Sequence, residues 1–226
     1  MSRFVELSHP LEDGDATAVY PGIGLPAARI GPILDHDASR ERYRGQAEFF
    51  LGMLELAANT GTYLDAPFHR YRERADLADL PLSSVAELPG LIVDHDAQAG
   101  TAIALQAVPP SIVAGRAVLC RTGWDARWGT EGYWTEGPFL TGDAVERLVD
   151  AGAALVGVDF ANVDDLGDLS RPAHTRLLAA GIPIVENLCG LGSLPAAGFT
   201  FSAVPLPIRR GASVPVRAYA VVPEEG

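Results

Sequence analysis

Thr141-Gly-Asp-Ala-Val-Glu-Arg-Leu-Val-Asp-Ala-Gly-Ala-Ala-Leu-Val-Gly-Val-Asp-Phe160 holds one unit of the fold. A capping Thr141 precedes Ala144, Val145, Leu148 and Val149 at helical spacing, and Gly152 stops the pattern. Ala154 to Asp159 then reads as a short buried strand. The same grammar recurs downstream. Ser170 can cap, Pro172 suits a first turn, Leu177 and Leu178 form an apolar face, Gly181 terminates, and Ile182 to Leu188 reads as a strand. Helix, strand, helix, strand predicts parallel strands joined by crossover helices.

Further strands are expected at Leu91 to Asp94, Ala117 to Arg121, Thr200 to Leu206 and Val216 to Val222. Phe49 to Ala58 fits a helix or an alternating strand, and the reading leans to strand. The fold class is therefore α/β with a mixed sheet. At 226 residues and 48% apolar content the chain can bury one sizeable core, and its 24 Gly and 17 Pro are scattered rather than gathered in a linker, so residues 1–226 read as a single domain. A formal net charge of -12 repels phosphate backbones and anionic membranes, which argues against nucleic acid as a partner. No apolar run approaches the roughly 20 residues of a bilayer span, and the N-terminus lacks the pattern of a secretory signal, so the expected location is the cytoplasm. Cys120 and Cys189 lack the spacing of a zinc or redox pair and read as reduced, buried residues.

Asn59-Thr-Gly-Thr-Tyr-Leu-Asp-Ala-Pro-Phe-His69 concentrates polar and small residues after an apolar run. If the segment is extended, Asn59, Tyr63, Asp65 and His69 project to one side, and Gly61 is where it must bend for them to converge. His174 shares the inward face of its helix with Leu177 and Leu178. Glu186 lies in Ile182-Pro-Ile-Val-Glu, too apolar for a free carboxylate, so a metal ion, His174 or an arginine such as Arg171 or Arg176 must neutralise it. Against these stands the bland reading of a turn aspartate, a surface histidine and a buried ion pair. Asp159, Asp164 and Asp165 follow a strand but read as solvated loop acids, and Trp124, Trp128, Tyr133 and Trp134 fit an aromatic pocket, core packing or subunit contacts equally.

On these residues the chain resembles the cyclase family of metal-dependent hydrolases, which includes kynurenine formamidase and isatin hydrolase. Its signature, His-x-Gly-Thr-His-x-Asp-x-Pro-x-His, is matched by Asn59 to His69 with two departures, and His174 precedes Glu186 by the family's twelve residues. Ser8-His-Pro-Leu11, Tyr20-Pro-Gly22, Arg121-Thr-Gly-Trp124 and Gly181-Ile-Pro-Ile-Val-Glu-Asn-Leu188 also match in order. The resemblance implies a single β/β/α domain with a mixed central sheet, of the swivelling-domain type, assembling as a homodimer or homotetramer. It implies that Asp65, His174 and Glu186 hold metal, that His69 is the general acid and base, and that Tyr20 borders the substrate pocket.

The departures are Asn59 and Tyr63, which stand where the family has metal-binding histidines. An Asn carbonyl and a neutral phenol are poor replacements for imidazole, so the first of two metal sites is expected to be lost. One Mn, Zn or Mg ion at Asp65, His174 and Glu186 would then polarise a carbonyl while His69 moves the proton, and Asn59 would face the substrate. The expected reaction is hydrolysis of a C–N or C–O bond in a small amide, lactam, ester or lactone. Two alternatives stay open: a metal-free acid/base cyclase, dehydratase or isomerase in which Tyr63 binds an oxyanion, and a non-catalytic ligand-binding relative.

Overall fold

The computed structural model describes residues 2–14, 24–97 and 100–223. In chain order the strands and helices are β1 (Ser2–Glu6), β2 (Arg29–Leu34), α1 (His36–Arg42), β3 (Leu51–Glu55), β4 (Tyr63–Asp65), β5 (Leu88–Asp94), β6 (Ala102–Ile103), β7 (Ala117–Arg121), α2 (Glu131–Thr135), β8 (Phe139–Leu140), α3 (Gly142–Asp150), β9 (Leu155–Val158), α4 (Pro172–Ala179), β10 (Ile184–Glu186), β11 (Ala197–Ser202), β12 (Ser213–Pro215) and β13 (Tyr219–Pro223). Thr141 caps α3 as its sequence requires, its hydroxyl accepting from the Ala144 N–H at 3.2 Å. Gly152, at φ 73°, ends the turn that follows α3.

Nine strands form one sheet in the order β1-β13-β11-β5-β7-β9-β10-β4-β12. Its centre, β5-β7-β9-β10, is parallel, and the flanking pairs are antiparallel. The central strands are near-continuous apolar runs because both of their faces are covered. One face packs α3 and α4 over Val118, Val156, Phe160 and Tyr133. The other buries Leu64, Leu119, Phe199 and Phe201. Three residues separate β12, at one edge, from β13, next to the other edge. That connection spans at most about 14 Å, so the sheet must curl until its two ends approach.

Four expectations need correction. Ser170 does not cap α4; Arg171 takes the cap position in the left-handed region, and the first free N–H of the helix, on Ala173, goes to Asp164 Oδ1 at 2.5 Å. The strand expected from Ile182 to Leu188 spans only Ile184–Glu186. The one expected at Thr200 to Leu206 is shifted to Ala197–Ser202. Val216 to Val222 is not one strand, because the chain leaves β4's side at Pro215 and starts pairing with β1 and β11 at Tyr219. The ambiguous Phe49 to Ala58 segment contains β3, which pairs with β2 in a separate hairpin.

Candidate active site

Strand pairing brings the chemistry together from four parts of the chain. In register, β10 sets Glu186 opposite Tyr63, and β4 meets β12 with Asp65 opposite Ser213. Tyr63 and Asp65 are two residues apart on one strand, so both side chains leave the same face. The bend that precedes them falls at Gly61, where φ is 64° and a Cβ would lie 2.6 Å from Leu11 Cδ2. Asn187 braces that bend from behind. Its Nδ2 donates to the Gly61 carbonyl at 2.7 Å and its Oδ1 accepts from the Tyr133 hydroxyl at 2.8 Å. Tyr133, Trp124 and Trp134 are therefore buried core residues, and Trp128 stacks on His9 with ring centroids 4.0 Å apart.

The turn at Pro67–His69 docks on α4 through the Tyr71 hydroxyl, which donates to the Thr175 carbonyl at 2.9 Å. This sets the His69 ring 5.5 Å from that of His174. Asp65, His69 and His174 offer donor atoms within 4.8 Å of one another. His69 is the outermost, with 31% of its side chain exposed, whereas Asp65, Glu186 and His174 are buried. His69 and His174 line a cavity of about 340 Å³ together with Asn59 and Tyr63, and the two acids lie behind them. Tyr20 lies outside the described residues.

Hydrogen bonds assign a partner to nearly every polar atom here. Asp65 Oδ1 accepts from the Ser213 hydroxyl and, at 3.4 Å, from Asn59 Nδ2. The same Ser213 oxygen lies 3.1 Å from His69 Nδ1. Glu186 accepts the Tyr63 hydroxyl on one oxygen and the Val163 N–H on the other at 2.7 Å. His174 Nδ1 faces Asp164 Oδ2 at 2.6 Å, and that carboxylate is also paired with Arg171 Nε at 3.2 Å. Glu186 is thus balanced by His174, 3.8 Å away, and not by arginine; Arg171 pairs with Asp164 and Arg176 with Glu146.

One atom stands apart. Asp65 Oδ2 is buried and makes no hydrogen bond, yet it faces His174 Nε2 at 3.5 Å. With Nδ1–H donated to Asp164, a neutral His174 presents a lone pair at Nε2, so two acceptors confront each other. A positive charge must lie between them. In the metal-free chain a proton supplies it: burial disfavours the charged ring, but Asp164, Asp65 and Glu186 hold its pKa up at about 9. A divalent ion would serve as well, since two ligands of a tetrahedral ion with bonds near 2.1 Å stand about 3.4 Å apart. The donor set fits: one carboxylate and one imidazole in place, with a second imidazole and a second carboxylate adjacent.

Electrostatics separates the two acids. Burial raises Asp65, but His174, His69 and Ser213 outweigh it and hold the group below its usual range. Burial pushes Glu186 up, with Asp65 adding to the rise and His174 opposing it. Burial lowers His69 despite Asp65, so its ring favours the neutral form. Tyr63 is raised well above 10 by burial and by Glu186, and it stays a neutral donor.

The family model described as "Putative cyclase" matches residues 5–165. The chain belongs to the cyclase family. A kynurenine formamidase of Salinibacter ruber is 32% identical over 204 residues, covering 90% of this chain and 91% of that protein. An isatin hydrolase of Roseibium aggregatum is 28% identical over 255 residues, covering 96% and 94%. The structure of isatin hydrolase A from Ralstonia solanacearum superimposes with a TM-score of 0.84 at 27% identity, over 98% of this chain and 92% of that one. Within this cyclase-family fold the structure adds Asp164 and Ser213 to the candidate site and overturns the solvated reading of Asp159 and Asp164. Asp164 and Asp159 are buried at 2% and 1% exposure, not solvated: Asp159 directly follows β9 and accepts from the Thr122 and Gly123 N–H groups, and Asp164 lies in the loop before α4 and accepts from the Ala173 N–H; Asp165 is exposed. The signal available for Asp164 is an acid shortly before a helix start, a place where a carboxylate can accept free N–H groups. Ser213 gave no signal, since β12 reaches Asp65 only through sheet pairing 148 residues away in sequence.

Proposed function

We propose that this chain is an arylformamidase-like hydrolase that uses one divalent cation to open a C–N or C–O bond of a small amide, lactam, ester or lactone. The reading rests chiefly on the confrontation of Asp65 Oδ2 and His174 Nε2 at 3.5 Å beside a small-molecule cavity. Asp65 and His174 would hold the ion, with Glu186 as third donor and counter-charge. A cation there supplies a polarised scissile carbonyl and a more acidic water.

The chain's own residues move the proton. Ser213 donates to Asp65, which leaves its oxygen free to accept from His69 Nδ1–H. His69 Nε2 is then the basic nitrogen of the pair. It can take the proton of the attacking water as oxygen bonds to the carbonyl carbon, then pass it to the departing nitrogen or oxygen as that bond breaks. Ser213 sits between the acid and the imidazole and is 3% exposed, so it orients His69 and is no nucleophile. Tyr63 has a single O–H, already given to Glu186, so the oxyanion role expected for it would require that bond to break. Asn59, on the cavity wall, shares its amide between Asp65 and the substrate side.

The test is turnover of N-formyl aromatic amines, isatin-like lactams and lactones by purified protein with and without Mn, Zn or Mg. Activity that needs about one ion per chain and disappears in His69→Ala, while the ion is retained, supports the reading. No turnover of any class, or undiminished turnover after chelation, refutes it.

The working unit is expected to be a homodimer or homotetramer. Ile33, Leu51, Met53 and Leu54 of the β2–β3 hairpin are 50 to 68% exposed, and an isolated two-stranded hairpin is marginal in water. A second copy of the chain would cover it, which light scattering can check. No helix among the described residues is long and apolar enough to cross a membrane, and both cysteines are free, which suits the reducing cytoplasm.

A further inference from the structure

The cavity wall carries a charge pattern opposite to that of the molecule. The chain has 29 acidic residues against 17 basic, yet the described lining offers two guanidiniums, Arg70 and Arg171, two imidazoles, and no carboxylate. Neither guanidinium is fully used. Arg70 Nε donates to Thr175 Oγ1 at 3.2 Å, and no carboxylate lies within 4 Å of its side chain among the described residues. Arg171 gives Nε to Asp164 at 3.2 Å. Its Nη2 lies 3.1 Å from His174 Nδ1 and 3.4 Å from Nε2, nearly equidistant and so in line with neither lone pair. Since Nδ1 already donates to Asp164, it cannot accept from Arg171 either. The Nη2 donors are left for something in the cavity. The backbone of Arg171 is held in the left-handed region, at φ 52° and ψ 59°, where a side chain with a Cβ is strained. Such strain persists where the surroundings force it, often at ligand clamps.

We propose that Arg70 and Arg171 form an anion subsite that selects substrates carrying a carboxylate within a few bonds of the scissile carbonyl. Guanidinium donors match the planar, two-oxygen geometry of a carboxylate and make charge-assisted bonds to it. Proximity sets the position of that group. Arg171 Nη2 is 3.4 Å from the His174 nitrogen that faces Asp65, so an anion it holds lies beside the reacting centre. The inference rests on the hydrolase reading and narrows its substrate class to small acids.

The experiment compares 2-formamidobenzoate, 4-formamidobenzoate and formanilide, which share one scissile bond and differ in the presence and place of a carboxylate, with Mn or Zn supplied. The ortho acid should have a kcat/KM at least about tenfold above the neutral amide, and Arg70→Gln should cut that ratio by about tenfold to a hundredfold, mainly through KM. Arg171→Gln should do the same while leaving kcat/KM for formanilide nearly unchanged, a selectivity for the acid that a purely structural arginine would not show. A ratio near one in the wild type, or a ratio unchanged in both glutamine variants, overturns the subsite. If no formamide is hydrolysed, the failure belongs to the hydrolase reading, and calorimetry with 2-aminobenzoate against aniline decides the subsite alone. Tighter binding of the acid that Arg70→Gln abolishes supports it, and equal binding of the two overturns it.

Discussion

Asp164→Asn would test whether His174 is set for a cation. In the wild type Asp164 Oδ2 takes the Nδ1 proton at 2.6 Å, and Oδ1 takes the Ala173 N–H at 2.5 Å. Asparagine can keep one of these bonds with its oxygen but must offer an NH₂ to the other. The backbone N–H has nothing to accept with, so the oxygen stays on Ala173 and the NH₂ turns to His174. Nδ1 then has to accept, so the one proton the neutral ring keeps is held on Nε2, where it occupies the lone pair a cation would need opposite Asp65 Oδ2. Carboxylates that orient a ligating histidine in this way are worth about tenfold to a hundredfold in metal affinity. That is about 1.4 to 2.7 kcal/mol. The substitution also removes the buried charge that pairs with Arg171 and His174, so it should cost about 3 to 5 kcal/mol of stability. Calorimetric titration of Mn or Zn into metal-free protein reads the affinity, with urea unfolding as the control. An unchanged affinity in a folded variant would refute the assignment of Nε2 as a ligand.

Ser213→Ala removes the link between His69 Nδ1 and Asp65 and should lower kcat by about tenfold or more while leaving KM nearly unchanged, as steady-state kinetics would show; a change in KM alone would contradict the orienting role. Tyr63→Phe strips Glu186 of a buried donor and should cost about 1 to 3 kcal/mol of stability by urea unfolding, and an unaltered midpoint would mean that this bond is not maintained. Gly61→Ala forces a Cβ against Leu11 at a φ of 64° and should destabilise by about 1 to 3 kcal/mol while scattering the site, which thermal melts and turnover together would detect. Burial pushes Asp159 up to about 6 from a usual 3.8, against the pull of the Thr122 and Gly123 donors. The folded chain therefore keeps this proton longer than the unfolded chain, and stability falls as pH rises through that window, by up to about 3 kcal/mol. Asp159→Asn should remove that slope, so the difference between wild type and variant must change between about pH 4 and 6 and be flat above; a constant difference would contradict the assignment.

The sequence shows most where local signals and burial agree. Thr141, Gly152 and the apolar stretch after it place α3 and β9 because capping, periodicity and strand composition point one way. Asp65, His174 and Glu186 were legible for a different reason: an acid in Ile-Val-Glu and a histidine on a leucine face violate local hydrophobic logic, and such violations mark sites. The misses have the opposite character. Ser170 reads as a cap because capping residues ordinarily sit directly before the helix, whereas Asp164 reaches α4 from a loop nine residues before Ala173. Ser213 is unremarkable in its own segment and acquires meaning only when β12 pairs with β4. Pairing across the sheet is non-local, and no window of neighbouring residues encodes it.

The two departures from the family signature bear on how many cations the site needs. Asp65 and Glu186 are both wholly buried, so their charge must be met by an opposite charge or by donors close by. The two departures make hydrogen bonds to the acids: Asn59 Nδ2 donates to Asp65 and the Tyr63 hydroxyl to Glu186. Neither supplies a full charge, so the remaining negative charge must be met from the other side, where Asp65 Oδ2 is still without a hydrogen bond and His174 approaches it. A buried carboxylate pair with only neutral donors would cost several kcal/mol. Both acids are present. The arrangement leaves one gap, between Asp65 Oδ2 and His174 Nε2, that a single cation or a proton on His174 would fill.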